Sequence, residues 1–181
     1  MSDGLITPQR YDRTTIVLHW AIALVVIAQW AGAHTIDWFP KGPYRVDARS
    51  MHILCGVLLT VALAYRIVWR IRAGTRFPGE RGSLITATAS AVHFALYALL
   101  LTVLGLGLFN TWLRGDSLFG IFAIPKFGAY DPVGRHAFVE QIVGLHETAS
   151  NILLIVAGGH ALVGLFHHFV LKDGVLQRMK L

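Results

Sequence analysis

The chain has 181 residues, 55% of them hydrophobic and only 14% charged, with a mean hydropathy of +0.57. That length suits about one domain, and the composition is too apolar for a soluble globular domain of this size, so it indicates an integral membrane protein. The formal charge of +6 is therefore read by its placement, with no nucleic-acid partner expected, and the single cysteine, Cys55, excludes an intramolecular disulfide or a cysteine-rich metal site.

In chain order, the first uncharged run is Thr14 to Ala33. It follows Arg10 and Arg13 and ends in "AGA", which resembles a signal peptide, but its apolar stretch is longer than a signal core and predicts a retained helix. The second run is Met51 to Tyr65, which Arg66 can extend by snorkelling. The third is Gly82 to Leu113, greasiest over Ala91 to Leu108, and the fourth is Thr148 to Leu171. A bilayer core needs roughly 20 helical residues. The runs are continuous rather than alternating, so they predict helices and not strands. The expected fold is all-α, a single domain over 1–181 with four transmembrane helices at about 14–34, 50–71, 86–112 and 141–171. Breakers mark the loops: "WFPKGP", "FPGERG" and "IPKFGAYDPVG".

Charge placement sets the expected orientation. One side holds ten basic residues: Arg10, Arg13, Arg66, Arg70, Arg72, Arg76, Arg81, Lys172, Arg178 and Lys180. The other holds six: Lys41, Arg45, Arg49, Arg114, Lys126 and Arg135. The larger count belongs inside, which puts both termini in the cytoplasm.

Nine histidines then fall at two depths. His19, His93, His160, His167 and His168 lie near the inner side, and His34, His52, His136 and His146 near the outer side. His146 and His160 share the fourth helix, 14 residues apart; that spacing keeps nearly one face and separates them by about 21 Å. Two ligands on one face at two depths suit two haems stacked across a membrane, whereas zinc wants its ligands clustered at one depth. The second imidazoles come from other helices. His52 can face His146; His19 can face His160 or, by depth alone, His167. A porphyrin also needs a small residue one turn from its ligand, at i+4 on the same face. Those positions are Ala23 after His19, Gly56 after His52, Ser150 after His146 and Gly164 after His160. The other five histidines have Trp38, Tyr97, Glu140, Leu171 and Lys172 there.

The segments "VLHWAIALVVIAQW", "SMHILCGVLL", "LHETASN" and "GGHALVGLFHHFVLKDGVLQRM" resemble the bacterial cytochrome b561 family, and within it the superoxide oxidase-like branch. The resemblance covers essentially the whole chain and is weakest in the loop between the third and fourth helices. It implies a two-haem, four-helix protein of the bacterial inner membrane that exchanges electrons with ubiquinone. It implies His19 and His160 as ligands of the inner haem iron and His52 and His146 as ligands of the outer one. It also implies a quinone contact at His167. In the activity implied for that branch, periplasmic superoxide donates electrons that pass through two haems b to ubiquinone. Two other readings stay open: a quinol oxidase delivering electrons to a periplasmic acceptor, and a haem-bearing anchor of a dehydrogenase.

The remaining polar residues have plainer roles beside functional ones. Arg49, one turn before His52, is placed for a haem propionate or for snorkelling. Arg45 and Arg49 together lead to His52 and are expected to focus anions on the outer haem edge. Glu147 either supports His146 or sits in headgroups. His93 is placed to bond a neighbouring helix or a haem edge, while His34, His136 and His168 are expected at the surface. Arg66, Arg70, Arg72 and Arg76 are expected on lipid phosphates, and the tryptophans in an interfacial belt.

Overall fold

The computed structural model describes residues 10–75, 84–126 and 132–180. Arg76, Arg81, Asp131, the side chain of Arg135 and the "FPGERG" loop lie outside the described residues. Four helices dominate: α1 Arg13–Thr35, α2 Pro43–Arg72, α3 Leu84–Arg114 and α4 Pro132–Phe166. Each contains a span long and apolar enough to cross a membrane. The chain is thus a four-helix transmembrane bundle.

Two helices start earlier than their apolar runs. α2 begins at Pro43 rather than near 50, and α4 at Pro132 rather than near 141. Hydropathy marks only what the lipid must cover, whereas a helix continues into water wherever its backbone allows. Proline opens both helices, because its fixed φ suits a first turn and its missing N–H is not needed there. At the other end of α4 the α-helix stops at Phe166. His167–Leu171 form a π-helical turn, closed by Lys172 in a left-handed conformation (φ 53°) and followed by Gly174 (φ 77°).

The structure also contains a strand pair that hydropathy did not predict. β1 Ser117–Leu118 and β2 Phe122–Ala123 form a small antiparallel hairpin in the loop between α3 and α4. Its anchor is Ser50, which is fully buried. The Ser50 hydroxyl accepts from Phe119 N at 2.8 Å and lies 2.7 Å from Val46 O and 3.1 Å from Ser117 O. One hydroxyl thereby pins the hairpin onto α2.

The core is aliphatic: Ile22, Leu59, Leu63, Leu100, Leu104 and Leu153. Close backbone packing runs α1 on α2, α2 on α3 and α3 on α4, while α4 makes few close contacts with α1 or α2. Most apolar side chains point outward, as expected where the solvent is lipid.

The end that carries both termini, expected to be the inner one and called so below, is tied by polar contacts. Asp12 caps α1, accepting from Thr15 N (2.9 Å) and Thr15 Oγ1 (2.7 Å). It also accepts from Trp69 Nε1 of α2 (2.9 Å) and from Thr75 N (3.0 Å). Burial opposes ionisation of Asp12, but these hydrogen bonds outweigh it and hold the carboxyl well below the usual carboxylate range. The C-terminal tail folds back onto α1: Tyr11 N donates to Arg178 O and Trp20 Nε1 to Met179 O. Trp20 and Trp69 thus have specific partners rather than only a place in an interfacial belt.

Candidate functional site

The gaps left between α4 and its two distant neighbours are where the histidines meet. His52 of α2 faces His146 of α4, with ring centroids 6.4 Å apart and planes at 87°. His19 of α1 faces His160 of α4, also at 6.4 Å, with planes at 88°. Two imidazoles bound to one metal ion through bonds of about 2 Å place their centres about 6 Å apart. Among the described residues no three or more ligating side chains converge to hold a bare metal ion. The arrangement is therefore paired imidazoles at two levels.

The outer pair lines a cavity of about 350 Å³ that also touches Gln29, Gly56, Gly107, Glu147 and Asn151. Three features shape it. His146 Nδ1 lies 3.0 Å from the carbonyl of Val103 in α3. A carbonyl only accepts, so Nδ1 carries the proton and Nε2 keeps its lone pair. Gly107 lets α3 come this close: a Cβ there would sit 3.0 Å from His146 Cε1. His52 Nδ1 is buried and has no hydrogen-bond partner among the described residues. Such an orphan costs about 1–3 kcal/mol, which marks a site shaped to receive a group. Beside it, Gln29 Nε2 donates to His52 O at 2.8 Å, and Trp30 Nε1 donates to Asn151 Oδ1 at 2.8 Å, linking α1 to α4. His34 is exposed, as expected, and also lines this cavity, with its Nδ1 2.8 Å from Trp30 O.

The inner level has a third imidazole. His93 of α3 lies 5.2 Å from His160 between centroids, planes at 70°. Arg66, expected on lipid phosphates, instead turns inward: its Nε donates to Tyr97 Oη at 2.9 Å, and its guanidinium carbon is 5.8 Å from that ring's centre. It lies near enough to His19 and His160 to act on both electrostatically. Below this level His167 Nδ1 meets Asp173 Oδ2 at 2.5 Å. The hydrogen bond from His167 holds the Asp173 carboxyl below its ordinary range, so it stays ionised and fixes the ring.

At the outer mouth Arg49 and Arg114 converge on Asp116, at 3.6 and 3.5 Å. Asp116 directly precedes the hairpin that Ser50 anchors, which is why it arrives beside Arg49. Arg45 is engaged elsewhere, with Asp37 at 3.3 Å and the carbonyls of Asp37 and Phe39. Arg49 does not line the cavity. The sequence reading gave no role at the site to Gly107, Val103, Asp116 or Asp173. Only Gly107 left a signal, a glycine inside an apolar helix.

A family model described as prokaryotic cytochrome b561 matches residues 10–180. The chain belongs to the prokaryotic cytochrome b561 family. Individual relatives agree over nearly the whole length. Cytochrome b561 homolog 1 of Escherichia coli K12 is 30% identical over 94% of this chain and 96% of its own. A probable superoxide oxidase of Yersinia pestis is 27% identical over the same shares. Cytochrome b562 of Cereibacter sphaeroides is 27% identical over 93% and 94%. Membership makes this chain a bacterial multi-pass membrane protein of electron transfer, with haem b as the cofactor the family implies.

Proposed function

We propose that this family member is a superoxide oxidase that carries two haems b. The observation that carries the two-haem reading is the pair of equal 6.4 Å imidazole spacings at two levels. The kinship with a protein named a probable superoxide oxidase supports the substrate. His52 and His146 hold the outer haem iron, and His19 and His160 the inner one. When bound, haem with two imidazoles supplies reversible one-electron chemistry and leaves no coordination site for oxygen. In the net reaction two superoxide anions, one ubiquinone and two protons give two molecules of oxygen and one ubiquinol.

The chain's own residues do the rest. Val103 holds the proton on His146 Nδ1 so that Nε2 faces the cavity. Arg49 and Arg114 give the outer mouth a local positive charge that draws an anion. Arg49 would hold a haem propionate with the guanidinium donors that Asp116 leaves free. At the inner end Asp173 orients His167, whose other nitrogen is free to hydrogen-bond a quinone carbonyl and pass a proton. The excess of Lys and Arg on the side that carries the termini supports a cytoplasmic location for both termini and a periplasmic one for the outer pair.

The deciding experiment exposes the purified, oxidised holoprotein to a superoxide generator, with and without a dismutase. Haem reduction that the dismutase abolishes, followed by reoxidation on adding ubiquinone, is the expected result. Reduction indifferent to the dismutase, or none, overturns the proposal.

A further inference from the structure

At the outer level the protein gives His146 an acceptor for its second nitrogen, the Val103 carbonyl. A metal-bound histidine nearly always has such an acceptor, which fixes the tautomer and raises the basicity of the ligand. His160 has no carbonyl hydrogen bond of that kind among the described residues. The rings placed against it are His19, across the site at 6.4 Å, and His93, at 5.2 Å. Arg66, the cation beside it, only donates. His93 is the remaining acceptor on the α3 side, the side from which Val103 serves His146.

The chemistry of His93 fits that role. A neutral imidazole has one nitrogen that donates and one that holds a lone pair, and a histidine on a membrane-spanning helix is costly unless both are occupied. A separation of about 5 Å between centroids is what an N–H···N bond of about 3 Å gives between two imidazoles.

We infer that His93 is a positioning residue for the inner haem, accepting a hydrogen bond from His160 as the Val103 carbonyl does from His146. This rests on the proposal that His160 is an axial ligand. An acceptor on the far nitrogen pushes electron density onto the ligating one and favours the oxidised iron. Removing it raises the inner midpoint potential and loosens the cofactor, and the outer haem is left alone.

The test is a redox titration of the full-length holoprotein, with low-temperature electron paramagnetic resonance of the oxidised haems. The inner component is identified as the one lost in His160→Ala. In His93→Leu that component shifts to higher potential, its g values move, and haem dissociates about tenfold faster. His93→Gln, whose amide oxygen accepts, returns all three toward the parent values. An unshifted inner component in His93→Leu overturns the inference while His160 stands as ligand. So does equal loss of inner haem in the Leu and Gln variants, which would mean His93 only fills space. Retention of both haems by His160→Ala overturns the ligand proposal itself, and this inference with it.

Discussion

Gly107 sets two effects against each other. Glycine inside a helix costs up to about 1 kcal/mol relative to alanine, so Gly107→Ala should strengthen α3 as a helix. The added Cβ, however, lands 3.0 Å from His146 Cε1, tighter than ordinary contact. The ring must rotate or α3 must retreat, and either breaks the 3.0 Å bond to Val103 O. Metal–ligand distances tolerate only about 0.2 Å, so if His146 holds the haem iron, as proposed, the clash should win. Gly107→Ala is expected to lose part of the outer haem while its helical content is unchanged or higher. Pyridine haemochrome assay beside circular dichroism checks both halves; full haem content would show that α3 yields without cost. The ligands make a sharper pair of expectations. His52→Ala or His146→Ala should leave one haem per chain, with only the inner component in a redox titration. His19→Ala or His160→Ala should leave the outer one. A parent stoichiometry near one haem would remove the basis of both.

Among the elements, the bounds of the four spans were legible only where lipid dictates composition. About 20 residues of hydrocarbon crossing force an uncharged run, and no comparable demand marks Pro43–Arg49 or the first turns of α4. Those segments are helical because proline opens them and nothing stops them. The clasp at the inner edge was likewise hidden, because Asp12 caps Thr15 in its own first turn but also collects donors from Trp69 and Thr75, which are distant in sequence. Its folded-state pKa is depressed, so its contribution is present above the unfolded value of about 3.9 and is lost as pH falls through the folded one. Asp12→Ala removes the cap of α1 and the tie to α2 together. A cap alone contributes about 0.5–2 kcal/mol, which corresponds to roughly 2–4 °C per kcal/mol for a chain of this size. Thermal unfolding in detergent should show the variant less stable at pH 7, with the gap to the parent narrowing below about pH 4. A gap that holds constant into acid would mean the carboxylate charge is not what the clasp uses.

For the whole molecule, the sequence placed the histidines at two depths because one helix carries two of them 14 residues apart, a spacing that needs no knowledge of the neighbours. What it could not place was anything that depends on the rotation of α3: the Val103 carbonyl, Gly107, and His93 against His160. The outer charges fall in the same class. Arg45 and Arg49, one turn apart before His52, read as a steering pair, but Asp37 neutralises Arg45 at 3.3 Å. The hairpin instead brings Asp116 between Arg49 and Arg114, so this trio carries +1, while Asp37 and Glu147 line the cavity itself. If superoxide is the donor, as proposed, this trio attracts it over about 10 Å at 0.1 M salt and over about 30 Å at 0.01 M. Arg49→Gln with Arg114→Gln reverses the local sign and should slow haem reduction by superoxide about tenfold at low ionic strength. Asp116→Asn doubles the local charge and should speed it, with a steeper salt dependence. Arg45→Gln leaves Asp37, which lines the cavity, without its cation and should also slow the rate, by less than the double variant. Stopped-flow reduction across a salt series, with haem content measured for each variant, separates these outcomes. If Asp116→Asn and the double arginine variant share the parent's rate and salt slope with both haems in place, superoxide enters without guidance from this trio.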